Sequence, residues 1–135
     1  MKVINKKLGN DFEQELCEIL ADAGYWTHNF ANRKNGQPAD IIAVKNGRAY
    51  LIDAKVCTYE TFPFRRIEDN QQLAMDVWVE CGNNTSYFAL KARNEIYMVP
   101  HITIKDLIKK DKKQFNFEDM NKYGTRLAIW LSMRG

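Results

Sequence analysis

Two aspartates and a lysine flank a short turn signal in the first half of this sequence. The turn signal is Asn46-Gly47, a dipeptide typical of two-residue hairpins, and it joins the apolar runs 40–44 and 49–53. With Asn46-Gly47 at the centre of the turn, the strand register places Asp40 opposite Asp53. This position is a non-hydrogen-bonded pair, in which two side chains lie roughly 5 Å apart.

Lys55 completes this group because side chains alternate along a strand, so it projects from the same face as Asp53. Two opposed carboxylates destabilise a hairpin, and a bound divalent cation would offset their repulsion. Carboxylate oxygens suit Mg2+, which completes its coordination with water and phosphate oxygens. Such a centre can activate water and neutralise charge on a phosphate, while a nearby lysine holds or deprotonates that water. The group therefore predicts Mg2+-dependent phosphodiester hydrolysis. A solvated ion pair on an exposed sheet face is the alternative.

Two other polar residues fall on the apolar faces of predicted helices. Glu13 lies at the edge of the buried stripe of the first helix, and Gln71 lies one turn after Ile67 in the second. Both could face the predicted site. The alternative for Glu13 is a capping box with Asn10, three residues earlier, and the alternative for Gln71 is a buried amide with satisfied hydrogen bonds.

The elements that must position these residues follow from hydrophobic periodicity and turn residues, which predict an α/β fold. In chain order the sequence predicts a helix with Asn10 as its N-cap and Gly24 just past its end, a strand over 25–30, a polar loop over 31–38, the two hairpin strands, a helix over 67–81, strands over 86–90 and 95–99, a helix over 102–110 and a last strand over 126–131. The residues expected to be buried in the second helix are Ile67, Ala74, Val77, Trp78 and Cys81.

Length and composition limit the class of protein. The chain has 135 residues, the size of one domain, and we assign 1–135 to a single domain. A composition of 45% hydrophobic and 27% charged residues excludes a disordered protein. The formal net charge of +3 permits an anionic partner without establishing one. Three widely spaced cysteines predict free thiols, and no apolar run is long enough to cross a bilayer, so a cytoplasmic location is expected.

Four short motifs, in this order, resemble the PD-(D/E)xK nuclease superfamily. They are Gly9-Asn10-Asp11-Phe12-Glu13, Pro38-Ala39-Asp40, Asp53-Ala54-Lys55 and Gln71. The segment 38–55 is similar to archaeal Holliday junction resolvases, and the segment 62–71 is similar to RecU resolvases. The resemblance covers roughly residues 9–100. It implies a restriction-endonuclease-like core of αβββαβ order, in which a central mixed β-sheet is flanked by helices.

The resemblance also implies a metal site. Asp40 and Asp53 would bind Mg2+ together with the carbonyl of Ala54, and Glu13 would complete the acidic set directly or through water. Mn2+ is expected to substitute for Mg2+.

The remaining motif residues would act on water and substrate. Lys55 would orient the attacking water, and Gln71 would support the site or contact the scissile region. The implied protein is a homodimeric endonuclease that resolves four-way DNA junctions in recombination and repair, and two identical sites in a two-fold dimer could make the paired incisions.

Two basic pairs flank the predicted site, Arg33 and Lys34 before Asp40, and Arg65 and Arg66 before the second helix. We expect them to bind DNA phosphates, and such binding weakens steeply with salt. Solvated basic loops are the alternative. Two other functions stay open at this point. One is a nuclease of the same fold that cuts flaps, nicks or duplex DNA, and the other is a non-catalytic DNA-binding protein that keeps the fold.

Overall fold

A six-stranded mixed sheet lies at the centre of this computed structural model, which describes residues 2–30 and 39–134. The predicted polar loop 31–38, with Arg33 and Lys34, lies outside the described residues. The described helices and strands are α1 (Lys2–Asp22), β1 (Trp26–Asn29), β2 (Ile41–Lys45), β3 (Arg48–Val56), β4 (Phe62–Pro63), α2 (Asp69–Glu80), β5 (Tyr87–Ala92), β6 (Glu95–Pro100), α3 (His101–Lys109), β7 (Gln114–Phe115), α4 (Phe117–Tyr123), β8 (Thr125–Arg126) and α5 (Leu127–Met133).

The strands of the central sheet lie in the order β1-β2-β3-β5-β6-β8. Neighbours are antiparallel except for β3 and β5, which are parallel. A parallel pair needs a crossover connection, and α2 supplies it. From α1 to β5 the chain follows the predicted αβββαβ order, interrupted only by the short β4 and a 3-10 turn over Phe64–Arg66. The predicted central mixed sheet flanked by helices is therefore confirmed.

Helices cover both faces of the sheet. On one face, α1 and α5 bury Leu16 and Trp130 against strand residues such as Ile52. On the other, α2, α3 and α4 close a second core that contains Met75 and Phe88. Because β3 lies between these two cores, its residues 50–54 are all buried. A charged side chain in this segment has no bulk water beside it and needs partners within the protein.

The hairpin of β2 and β3 has the predicted register, with Ile41 paired to Ile52 at its far end. Asn46 and Gly47 have φ angles of 53° and 75°. Positive φ at both central residues is the requirement of a type I′ turn, whose twist matches that of the flanking strands. β3 continues to Val56 rather than ending at residue 53.

The first helix begins at Lys2, well before the predicted N-cap at Asn10. Asn10 and Glu13 therefore lie inside the helix, and the capping-box interpretation of Glu13 is wrong because a capping residue has to precede the first turn. The other end is as predicted. Gly24 follows the helix with a φ of 95°, a left-handed conformation that favours glycine.

The second helix begins at Asp69 rather than at residue 67, and its buried face was predicted only in part. Ile67 is buried and Trp78 packs against the second core, as predicted, whereas Val77 and Cys81 are exposed. Met75 is the fully buried residue of the helix. Gln71 lies one turn before Met75 and so faces the sheet as well. The apolar residues on the outer side of this helix misled the periodicity argument.

The C-terminal segment is also helical where a strand was predicted over 126–131. The two-residue β8 pairs with β6, and the chain then forms α5. Leu127 and Trp130 are its buried residues, three positions apart, and this is helical spacing that a short apolar run conceals. The sequence did not predict α4 or the small two-stranded sheet of β4 and β7. The strands predicted over 86–90 and 95–99 correspond to β5 and β6, and the helix predicted over 102–110 corresponds to α3.

Two simpler predictions concern thiols and membranes. Cys17, Cys57 and Cys81 are free, and the first two are buried. Among residues 2–30 and 39–134, no helix combines the length and the apolar character that crossing a bilayer requires.

Candidate active site

Asp53 lies at the centre of the candidate site. It is 0% exposed, within the buried segment of β3. Its two carboxylate oxygens have different surroundings. Oδ1 accepts a hydrogen bond from Nε2 of Gln71 at 3.1 Å. Oδ2 is fully buried and lies 3.1 Å from Nζ of Lys55. Burying a carboxylate costs free energy, which the Lys55 ammonium and a bound cation can offset.

Asp40 immediately precedes Ile41, the first residue of β2. Its amide donates to the carbonyl of Ile52 at 3.1 Å, although Ile52 is already the ladder partner of Ile41. The predicted direct pairing of Asp40 with Asp53 is therefore wrong, because the chain is offset there by one residue, as in a β-bulge. The Asp40 carboxylate instead accepts a hydrogen bond from the Ala54 amide at 2.8 Å. The two acids still meet, because their side chains interact directly.

Lys55 lies on the same side of β3 as Asp53, as alternation predicted. Its Nζ is 3.1 Å from Oδ2 of Asp53, so the two side chains form an ion pair. The Lys55 side chain is only 15% exposed. The alternative of a solvated ion pair on an open sheet face is wrong, because the carboxylate is buried.

Glu13 reaches the same group from α1 and is 8% exposed. Its carboxyl interacts directly with that of Asp40. The early start of α1 explains this placement, because Glu13 belongs to a helix interior whose buried face packs on the sheet beside residues such as Phe12 and Leu16. The helix thus carries a third carboxylate to the mouth of the site.

Gln71 approaches from α2, on the opposite face of the sheet from α1. Its Oε1 accepts a hydrogen bond from the Glu68 amide at 3.2 Å, at the start of the helix. An amide whose oxygen is held by an N–H must direct its NH2 group the other way, and here it points at Asp53. Gln71 is therefore a half-buried amide whose two ends are both hydrogen-bonded, and it holds Asp53 at the same time.

The pKa values of the three acids of the site are raised when no cation is present. Burial, and then the neighbouring Asp40 carboxylate, raise the pKa of Asp53 to about 8, despite the opposing effect of Lys55. Burial also raises the pKa of Asp40 and the pKa of Glu13. A cation bound among these carboxyl groups would stabilise their ionised forms and lower their pKa values again.

The donor set fits a hard divalent cation that keeps part of its water shell. In the part of the chain that the structure describes, no three His, Cys, Asp or Glu side chains enclose a cation position by themselves. Mg2+ does not need such a cage, because it binds through one or two carboxylates and fills its other positions with water and phosphate oxygens. The buried Oδ2 of Asp53 and the adjacent Asp40 carboxylate are donors of this kind, and the predicted third donor, Ala54, lines the same cleft.

The site opens into a cleft of about 730 Å³. Its lining includes Glu13, Asp40 and Lys55, and also Arg66 from the predicted basic pair. Arg66 donates to the carbonyl of Val56 at 3.0 Å, and its guanidinium lies over the ring of Phe62. The other member of the pair, Arg65, is exposed and does not line this cleft. Of the two arginines that the sequence predicted to bind DNA, the structure places only Arg66 in the lining of the cleft.

Sequence reasoning missed several lining residues of the cleft. The segment 57–63 forms one wall, and Leu8, Gly9 and Asn10 of α1 form another. The motif Gly9 to Glu13 was noticed only as a resemblance, because the helix was predicted to begin at Asn10. The position of Tyr59 could not be predicted, since a loop residue carries no periodicity.

Comparison with protein families gives a match to Recombination protein U, RecU, over residues 24–134. This chain belongs to the RecU family. RecU proteins are Holliday junction resolvases, a class of endonuclease, and membership gives the chain this activity. The match extends through α3, α4 and α5, beyond the segment in which the sequence motifs resemble resolvases.

The fold of this RecU chain is also that of a solved resolvase. Its structure is similar to that of Hjc, a Holliday junction resolvase from Archaeoglobus fulgidus, with a TM-score of 0.66 and 18% sequence identity. The similarity covers 92% of this chain and 95% of the archaeal protein. At this identity the comparison shows a shared fold. A search of curated proteins finds no match.

Proposed function

We propose that this RecU chain cuts four-way DNA junctions by metal-dependent hydrolysis at the cleft around Asp53. The observation that carries this proposal is the fully buried carboxylate of Asp53, which contacts the carboxyl of Asp40 and lies 3.1 Å from Nζ of Lys55. A fully buried carboxylate next to a second acid destabilises the fold unless it serves a ligand. A cation and a phosphate are the ligands that this combination suits.

Asp40 and Asp53 would hold the metal, joined by the Ala54 carbonyl, and Glu13 would take part directly or through water. Mg2+ is the proposed ion, and Mn2+ would replace it, since both prefer carboxylate, carbonyl and water oxygens. The bound ion would neutralise charge on the scissile phosphate and make water a better nucleophile.

Two neighbouring side chains would control the attack. The Lys55 ammonium can hold the attacking water by donating a hydrogen bond to its oxygen. It can also stabilise the negative charge that develops on the phosphate. Gln71 keeps Asp53 in one orientation through its hydrogen bond to Oδ1, which leaves Oδ2 facing Lys55. Arg66 at the cleft wall would bind a phosphate of the same strand, and Arg33, Lys34 and Arg65 would bind other phosphates.

We propose that two copies act together, because a four-way junction has two-fold symmetry and needs two incisions. The outer side of α2 is a candidate for the contact between copies. Leu73 is 64% exposed and Val77 is 46% exposed, and both line an apolar groove with Ile42 and Trp78. A cytoplasmic location, where DNA and reduced thiols coexist, belongs to the same proposal.

Cleavage of matched substrates tests the proposal. A labelled four-way junction, a flap and a linear duplex of the same sequences are incubated with the protein in Mg2+, in Mn2+ and in EDTA. The proposal predicts metal-dependent cutting of the junction at symmetric positions, with slower cutting of the flap and the duplex. Faster cutting of the flap would favour the second nuclease function, and the absence of metal-dependent cutting of any branched DNA would contradict the proposal.

A further inference from the structure

The rim of the cleft carries an aromatic side chain that the proposed chemistry does not use. Tyr59 is 88% exposed, and it lines the cleft together with Lys55 and Arg66. A ring left this open to water buries little apolar surface within the protein, so the fold gains little from it. The side chain stands beside the place where a phosphodiester would bind.

The turn that carries Tyr59 is fixed at both ends. The Glu60 amide donates to the Cys57 carbonyl at 3.2 Å, which closes a β-turn with Tyr59 at its tip. Before the turn, the Cys57 amide donates to the Lys91 carbonyl at 2.9 Å, and Cys57 is buried. The exposed ring is therefore held out from a closed turn and does not belong to a loose loop.

Glu60 fixes the other end. It has a φ of 59°, a left-handed conformation that is uncommon for a residue with a side chain. Its carboxylate lies 2.6 Å from the guanidinium of Arg93, at the turn between β5 and β6, and that guanidinium lies 4.0 Å from the ring centre of Phe117 in α4. The turn is thus tied to two other elements in a conformation that presents Tyr59 to the cleft.

The opposite wall supplies a second apolar group. Leu8 in α1 is 42% exposed and lines the same cleft. The cleft consequently combines the charged side chains of Glu13, Asp40 and Lys55 with two exposed apolar side chains, Leu8 and Tyr59. The charged groups with a bound cation suit a phosphate, and the flat ring of Tyr59 suits a nucleobase.

We infer that Tyr59 stacks on a nucleobase exposed at the branch point of the DNA, and that this contact distinguishes branched DNA from a linear duplex. The inference rests on the proposed nuclease function of the same cleft. In a linear duplex each base is stacked on both sides, whereas bases at a branch point have a free face. Stacking on an aromatic ring accepts any base, so the contact selects structure without selecting sequence.

Equilibrium binding without divalent metal tests the inference, because no DNA is cut. The wild-type chain and Tyr59→Ala, Tyr59→Phe and Trp26→Ala variants are titrated onto a four-way junction with 2-aminopurine at the branch point and onto a linear duplex. We expect Tyr59→Ala to weaken junction binding roughly five- to thirtyfold and to abolish the fluorescence change, with duplex binding altered less than about twofold. Tyr59→Phe keeps the ring and should behave as wild type.

Trp26→Ala is the matched control, since Trp26 is also an exposed aromatic residue, 64% exposed, but pairs with Val44 near the turn end of the hairpin. It should bind as wild type. Glu60→Gln releases the turn and retains the cation of Arg93, so it should lower the preference for junction over duplex without lowering duplex affinity. Equal losses on both DNAs in Tyr59→Ala, no loss on either, or a change in oligomeric state measured by size-exclusion chromatography would overturn the inference. Its failure is distinct from failure of the proposed function, which concerns cutting in Mg2+ by the wild-type chain.

Discussion

Gln71 holds Asp53 from the first turn of a helix on the far side of the sheet. Its Nε2 donates to Oδ1 of Asp53 at 3.1 Å while its Oε1 accepts from the Glu68 amide at 3.2 Å. The second bond fixes which end of the amide meets the carboxylate. A single side chain therefore joins the start of α2 to the buried acid of β3, and the orientation of that acid depends on where the helix begins.

Replacing Gln71 with Ala should slow junction cleavage by roughly 10- to 100-fold and raise the Mg2+ concentration needed for half-maximal rate. The physical reason is that Asp53 loses the donor that holds Oδ1, so Oδ2 is no longer kept in place. The measurement is a single-turnover cleavage rate at a series of Mg2+ concentrations. Gln72→Ala, on the next position of the helix, is the control and should leave both quantities unchanged. Wild-type metal dependence in Gln71→Ala would contradict this role.

Asp53 should also make the metal-free protein less stable as the pH rises. The folded protein keeps the proton of Asp53 up to about pH 8, whereas an unfolded chain releases it at about pH 4. Between these values the folded state binds more protons than the unfolded state, so the free energy of unfolding falls as pH rises and levels off above about pH 8. Burial raises the pKa values of Asp40 and Glu13 as well, which adds to the same trend.

Asp53→Asn should remove much of this pH dependence. At pH 8 in EDTA the variant should be more stable than wild type by on the order of 1–3 kcal/mol, because a neutral amide replaces a charge that is costly to bury. Thermal unfolding from pH 5 to pH 9 measures both effects. Asp111→Asn is the control, since the Asp111 side chain is 88% exposed and has a φ of 69° that asparagine tolerates. If Asp53→Asn is less stable than wild type at pH 8, the Asp53 carboxylate does not destabilise the fold.

Lys55→Met should reduce the cleavage rate by roughly 10²- to 10⁴-fold while junction binding changes little. The ammonium lies 3.1 Å from Oδ2 of Asp53, and in the proposed mechanism it holds the attacking water. The rate is measured under single-turnover conditions, and binding is measured in EDTA. Lys91→Met serves as the control. Lys91 lies on the neighbouring strand β5, forms an ion pair with Glu15 of α1 at 2.6 Å, and should be dispensable for cutting. Equal rate losses in the two variants would point to a general electrostatic effect and not to a specific role of Lys55.

Arg66→Ala should weaken junction binding and lower the slope of log K against log salt by about 1, as expected for the loss of one phosphate contact. Arg66 lines the cleft, and its guanidinium is held there by the hydrogen bond that it donates to the Val56 carbonyl. Arg65→Ala should have a smaller effect on both quantities, because Arg65 does not line the cleft. Binding isotherms at several salt concentrations measure the difference. The reverse order of the two variants would contradict the assignment of Arg66 to the substrate cleft.

Local signals were enough to predict the hairpin. Asn46-Gly47 fixes the turn, the turn fixes the register, and alternation then places Lys55 beside Asp53, as the structure has it. The offset at Asp40 was not predictable in this way. It depends on hydrogen bonds that meet only in three dimensions, from the Phe30 amide to the Asp40 carbonyl and from the Asp40 amide to Ile52.

Helix boundaries and helix faces were predicted less well, for a physical reason. Residues near the start of α1 lack a strong apolar pattern, so Asn10 resembled a cap. In α2 the outward face carries Leu73 and Val77, and periodicity alone could not tell this face from the one that packs through Met75. The contact between Gln71 and Asp53 depends on that choice of face, and the spacing of Gln71 from Ile67 and the motif resemblance both pointed to it.

Junction cleavage by acid-site variants tests the central claim most directly. Wild type, Asp40→Asn and Asp53→Asn are compared on one labelled four-way junction, with Mg2+ and with EDTA, under single-turnover conditions. The wild-type chain should cut only with Mg2+, and both variants should bind the junction without cutting it. Cutting by wild type in EDTA, or wild-type rates in either variant, would contradict a metal-dependent site built on Asp40 and Asp53.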